Sequence, residues 1–248
     1  MFCKLNKYGE LNNYDLFKVF AFIFMIVDHI GFFFFPNITI LRVMGRVSFP
    51  IYAVLHGIVT KNNNTEYKAN YLLLFTGLLI NIIFYMLFGQ LVAANILVSF
   101  FLFDLIFNKI SKLDYKVLVS SFVLVIVNCC FYNILNTYIE YGLFALLFMI
   151  VGRIFYKVGT NIIENLFSLS VFVTYFLTQV MFFKFDKVHA VVCGILIFVM
   201  FLLMYDFKFR EYHNMNSNKF LLFLSRYSLE LYFVHYILFM FITKIYIL

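Results

Sequence analysis

The chain has 248 residues and a formal charge of +7; 65% of the residues are hydrophobic, 22% aromatic and only 12% charged. Soluble domains carry about 25% charged residues and at most about half apolar ones, so a soluble protein is excluded, and a single integral-membrane domain over 1–248 accommodates the length. The basic surplus does not point to nucleic acid, because the cations on the cytoplasmic side are scattered through short loops.

A helix needs about 20 mostly apolar residues to cross a bilayer. In chain order such runs fall at 16–36, 39–60, 70–89, 91–107, 116–134, 141–158, 163–183, 189–206 and 228–247. They are continuous rather than alternating, which predicts an all-α, polytopic transmembrane helix bundle of about nine spans rather than a β-barrel. The first run is too long for a signal-peptide core and lacks a small-residue cleavage site, so it reads as the first span. The weakest joint is 133–141, where Tyr, Asn and Glu140 interrupt the apolar pattern. "KNNNT", "SKLDYK" and "MYDFKFREYHNMNSNK" read as polar loops, with His213 solvated in the last. With the N-terminus in the cytoplasm, fourteen cations collect on the inner side. Arg42, Arg46, Lys184, Lys187 and Lys244 fall on the outer side or in outer helix ends. The asymmetry predicts N-terminus in, C-terminus out and an odd number of spans. The Asn, Lys, Ile, Phe and Tyr usage suggests an AT-rich bacterial genome, hence a bacterial cytoplasmic (inner) membrane. Cys3, Cys129, Cys130 and Cys193 lack CxxC spacing; those in apolar runs read as buried small hydrophobes, and neither a disulfide nor a metal site is expected.

Ionisable groups inside spans are costly and are functional candidates by default. They are Asp28 and His29 in the first span, Arg42, Arg46 and His56 in the second, Asp104 in the fourth and His235 in the last. Asp28 lies eight residues before Pro36, and Arg46 eight residues after Ile38. At about 1.5 Å per residue both sit roughly 12 Å from the outer end, and the short "PNIT" turn makes their helices neighbours. Asp28 and Arg46 are therefore expected to pair. Consecutive helical residues point about 100° apart, so His29 faces elsewhere and keeps a ring nitrogen for general-base chemistry. Arg42 and Arg46 share one helix face, a pattern suited to a phosphate or an oxyanion. Gly45 between them permits close helix approach, and Pro50 ends or bends the helix one turn later. Plainer roles compete throughout. The Asp–Arg pair also fits a structural clamp, His56, Asp104 and His235 fit groups reaching water at the inner interface, and Asn81 and Asn95 fit interhelical bonds. His189 reads as interfacial.

The stretch from Leu16 to Asn62 resembles the opening of the TraX family. The elements that carry it are Asp28, His29, Ile30 and Gly31, then Leu41, Arg42, Gly45, Arg46, Phe49 and Pro50, then Thr60, Lys61 and Asn62. Weaker echoes follow around Asn95, around Tyr141 and Gly142, and around His235. The chain departs from the pattern in carrying His56 at the second helix's exit and in lacking a proline before His235. The resemblance implies an acetyl-CoA-dependent acyltransferase in the inner membrane, acting on the N-terminus of a pilin. It implies His29 as base beside Asp28 and Arg46, with Arg42, Asn95, His235 and His56 binding substrate or cofactor. The alternatives are an O-acyltransferase of a lipid or polysaccharide, a structural partner in envelope assembly, and a transporter or flippase built around the Asp28–Arg46 pair. Acetyl-CoA is cytoplasmic and His29 lies in the outer half, which requires a pore or a relay of the acetyl group.

Overall fold

The computed structural model describes residues 11–62, 71–107, 114–157, 160–206 and 218–246. Most of the three polar loops, His213 included, lies outside this range, and so does Cys3. Among the described residues the chain is all-α: α1 (Asn13–Phe33), α2 (Thr39–Gly45), α3 (Ser48–Asn62), α4 (Tyr71–Phe88), α5 (Ile96–Phe107), α6 (Tyr115–Tyr138), α7 (Phe144–Tyr156), α8 (Ile162–Phe183), α9 (Lys187–Asp206), α10 (Lys219–Arg226) and α11 (Ser228–Tyr246). Polar caps set several starts. Asn12 and Asp15 form a capping box on α1, Asn161 and Glu164 form another on α8, and the Asp114 side chain caps α6.

Each predicted run contains a helix, but the second is divided. Pro50 has no N–H and its ring crowds the carbonyl four residues back, which is that of Arg46. The helix breaks there, between α2 and α3, one turn before Pro50 rather than at Pro50 itself. The freed Arg46 carbonyl accepts the Tyr175 hydroxyl of α8 at 2.8 Å, so this carbonyl keeps a partner across the break.

Among the described residues, six helices (α1, α4, α6, α8, α9 and α11) are long and apolar enough to cross a membrane. The chain is thus a multi-pass membrane protein. α3, α5 and α7 have 15, 12 and 13 residues, short of a full span. α7 explains how this works: every residue from Phe144 to Ile154 is buried. A helix enclosed by protein need not match the thickness of the hydrocarbon. α7 is pressed against α3 by two glycines. A Cβ on Gly57 would overlap the Met149 carbonyl, and one on Gly152 would overlap the Val54 carbonyl. Such backbone proximity is how membrane helices gain packing where lipid supplies no hydrophobic drive.

The outer ring carries exposed apolar side chains such as Met86 on α4, Ile126 on α6 and Val191 on α9, as lipid contact requires. Cys193 is buried, but Cys129 and Cys130 are exposed. They lie on the apolar surface of α6 and not in the core, which corrects the reading of all apolar-run cysteines as buried.

A last feature sets the register of the site. α10 packs alongside α1, where the Lys18 ammonium donates to the Ser225 carbonyl at 3.4 Å and the Ser225 hydroxyl donates to Asp15 at 2.6 Å. From that anchor α1 and α10–α11 run side by side. His29 lies eleven residues past Lys18 and His235 ten residues past Ser225, so they arrive at the same depth.

Candidate active site

Asp28 is buried, and its carboxylate holds both arginines of α2. One Arg46 nitrogen reaches Oδ1 at 2.6 Å and Oδ2 at 2.7 Å. An Arg42 nitrogen lies 3.0 Å from Oδ2 and also donates to the Asp28 carbonyl at 3.1 Å. Arg46 Nε donates to the Arg42 carbonyl at 3.1 Å, and its remaining nitrogen reaches Gln179 of α8 at 3.4 Å. Gln179 in turn donates to the Tyr132 hydroxyl of α6 at 3.0 Å. Charge-assisted bonds of this kind are short and strong. Gly45 makes the geometry possible, because a Cβ there would overlap the Asp28 carboxylate. The two guanidiniums also face Phe183, at 4.6 Å for Arg46 and 5.5 Å for Arg42, which adds cation–π attraction in a desolvated setting.

His29 faces α11. Its Nδ1 lies 2.7 Å from Nε2 of His235, and Nδ1 of His235 lies 2.7 Å from the Leu231 carbonyl. A carbonyl only accepts, so His235 carries its proton on Nδ1. With both rings neutral, His235 Nε2 then accepts, and His29 must donate through Nδ1–H. The lone pair of His29 is thereby fixed on Nε2. That atom has no hydrogen-bond partner among the described residues, and the side chain lines a cavity of about 330 Å³. Tyr232 and Tyr236 hold the ring from the α11 side, with centroids 5.7 and 4.8 Å away.

Asp28, His29, Arg42 and Arg46 all line this cavity, together with Glu140 and the phenols Tyr52, Tyr132, Tyr141, Tyr232 and Tyr236. Phe32, Phe182, Phe183 and Asn136 line it close to the ends of α1, α8 and α6, which the predicted topology puts on the outer side.

Three residues expected to bind substrate or cofactor sit elsewhere. His235 is behind His29, outside the lining, and it is not at the inner interface. Counting from the start of α11 underestimates its depth, because α10 precedes that helix alongside α1. Asn95 spends its side chain on structure. Its oxygen accepts the Leu97 N–H at the start of α5, and its amide donates to the Tyr232 hydroxyl at 2.9 Å, so it fixes a wall. His56 lies behind Phe100, with Nε2 3.3 Å from Asp104. His56 and Asp104 are buried at 6% and 3% exposure and do not reach water, because short α5 packs inward against the bundle. Asn81 bonds the Ala93 carbonyl and the Asn95 N–H, tying α4 to the start of α5. His189 bonds Asp186 at 2.9 Å beside the start of α9, in keeping with an interfacial place.

Glu140, Gln179, Tyr132, Tyr232 and Tyr236 were not singled out from sequence. Tyrosines are too frequent in this chain to carry a signal. Glu140 had one, as a lone carboxylate between two apolar runs, but it reads there as a loop residue.

The chain matches the family described as TraX protein over residues 13–242. It is 30% identical over 158 residues to an uncharacterised protein of Rickettsia prowazekii, a stretch covering 62% of this chain and 60% of that relative. The chain thus spans less than two thirds of that relative's length. No solved structure matches it. The family match runs from the first residue of α1 into α11 and encloses Asp28, His29, both arginines, Glu140 and His235. The chain belongs to the TraX family.

Proposed function

We propose that the protein is a membrane-embedded acetyltransferase that moves an acetyl group from acetyl-CoA to an amine or hydroxyl presented at the outer side of the inner membrane. The N-terminus of a pilin is the favoured acceptor and a lipid or polysaccharide hydroxyl the second. The observation that carries this reading is the tautomer of His29: its lone pair is fixed on Nε2, in a cavity that also holds two anchored guanidiniums.

In the reaction, Nε2 takes the proton of the attacking nitrogen or oxygen as the new bond to the acetyl carbon forms. The imidazolium so created is stabilised through its Nδ1–H bond to His235, which becomes charge-assisted. Arg42 and Arg46 supply positive charge for the developing oxyanion. They are already oriented by Asp28 and need no reorganisation, the condition under which such charges are most effective. The carbon–sulfur bond then breaks and the CoA thiolate takes the proton from Nε2. Acetyl-CoA serves as co-substrate, and the chemistry requires no metal.

The test is turnover by the purified, reconstituted protein with acetyl-labelled acetyl-CoA and amine or hydroxyl acceptors. His29→Ala and His29→Gln should lower CoA release by about 10²–10⁴-fold with unchanged melting. Normal turnover by either variant would overturn the assignment. Movement of solute across liposomes without CoA release would make the protein a transporter instead.

A further inference from the structure

The cavity contains a second carboxylate for which the mechanism has no use. The geometry points to Glu140 as the group that receives the acceptor, as a primary ammonium, and takes its first proton; the inference rests on the acetyltransferase reading above.

Glu140 is held by backbone. The Ile96 N–H at the start of α5 donates to one carboxylate oxygen at 2.8 Å. The Glu140 N–H donates to the Ala94 carbonyl at 3.2 Å, and Ala94 N–H donates to the Tyr138 carbonyl at 2.8 Å. The following residues are pinned as well. Asn136 accepts the Tyr141 N–H and Asn128 accepts the Leu143 N–H, both at 2.8 Å. Tyr141 is held at φ 63°, a left-handed conformation that costs a non-glycine residue roughly 1 kcal/mol or more. Its ring stacks on Phe49 at 4.1 Å. Such over-determined strain aims Glu140 into the cavity, where it is a lining group.

Its charge is unanswered at contact distance. Asp28 takes both guanidiniums, and among the described residues no cationic nitrogen lies within 4.0 Å of Glu140. The cavity's formal charges (Asp28, Glu140, Arg42 and Arg46) still sum to zero. A carboxylate lining a pocket walled by phenols, with balance at a distance and no partner in contact, suits a small cation. An ammonium arriving there makes the pocket positive. Transfer of one proton to Glu140 exposes the amine lone pair, and neutrality returns when Glu140 passes that proton to solvent. The chemistry also needs that step. Acetylation of R–NH3+ by acetyl-CoA gives R–NH–acetyl, CoA thiol and one proton. His29 carries one proton from nitrogen to sulfur, and the other leaves through Glu140. A hydroxyl acceptor has no such second proton to lose.

Glu140→Gln separates this role from simple capping of α5, since the amide oxygen still accepts the Ile96 N–H. Its melting temperature without ligand should equal that of the wild type. The probes are a dipeptide amide with a free N-terminus and its N-acetylated form. The free amine should raise the melting temperature of the wild type above that seen with the blocked form, and Glu140→Gln should lose the difference. The KM for the free dipeptide amide should rise at least tenfold, and by a larger factor than the KM for a blocked serine amide. An amine-dependent shift absent from the wild type, or retained with an unchanged KM in Glu140→Gln, would overturn the inference. A Glu140-dependent shift with no CoA release by the wild type on any acceptor would overturn the acetyltransferase reading and leave the cation site standing.

Discussion

Asp28→Asn tests the electrostatic logic of the site most directly. The substitution nearly preserves shape, so its effect reports charge. At about 3 Å and an effective dielectric near 20, one unit pair is worth about 5 kcal/mol gross, and Asp28 serves two guanidiniums at 2.6–3.0 Å. Most of that gross attraction offsets the desolvation of the ions. The cost of removing one partner is larger than the net worth of the pair, because the cations stay behind with side chains 3% and 19% exposed. Buried pairs broken in this way lose about 3–5 kcal/mol. For a chain of this size about 1 kcal/mol shifts melting by about 2–4 °C, so a fall of roughly 6–20 °C is expected in detergent. Asp28→Asn combined with Arg46→Met should recover part of the loss, giving a coupling energy of at least about 1 kcal/mol in a double-mutant cycle. A melting temperature within 2 °C of wild type, or strict additivity, would refute the claim that this carboxylate anchors the arginines.

Two further outcomes follow from geometry. Gly152→Ala places a methyl group on the Val54 carbonyl; α3 and α7 must separate, and overpacking of this kind costs about 1–3 kcal/mol or more, read as a lower melting temperature with the other helices intact. His235→Gln leaves an amide oxygen able to accept from His29 Nδ1, whereas His235→Leu does not. Turnover should therefore fall at least tenfold further in the leucine variant, with little change in KM, and equal rates for the two would remove the tautomer argument.

The helical spans were legible in the sequence because apolar length is a local property. So was the Asp28–Arg46 pair, since two helices joined by a four-residue turn share a depth scale fixed by helical rise. The α2–α3 break was half legible. Pro50 announced it, but its position depends on which carbonyl loses a donor, and its tolerance depends on Tyr175, 129 residues away. The partnership of His29 with His235 was hidden. It spans 206 residues and rests on the register between α1 and α10, set by Lys18, Asp15 and Ser225, which no hydrophobic period encodes. Short α5 and α7 show the same limit from the other side. The runs 91–107 and 141–158 read as full spans, whereas α5 and α7 have only 12 and 13 residues, and only enclosure by the bundle explains them.

On the proposed function and topology, access to the two substrates is unequal. His29 lies sixteen residues beyond Asn13 and four before Phe33, about 24 Å of helix on the inner side against about 6 Å on the outer. An acceptor from outside meets the cavity at once, past Phe32 and Phe183. A cytoplasmic thioester meets packed core first, where Val54 and Leu55 are fully buried and the Tyr14 hydroxyl is bonded to the Leu55 carbonyl. The floor between core and cavity includes Ser48, Phe49, Ser228 and Leu229. These open α3 and α11, immediately after the breaks at Arg46–Val47 and Tyr227. Unbroken helices resist bending because every turn is tied to the next, and breaks are where one segment turns against another at low cost. On that reading, the α2–α3 and α10–α11 breaks lie at the barrier that an acetyl donor from the cytoplasm would have to pass, and Asp28 and His29 lie on the unbroken α1 beyond it.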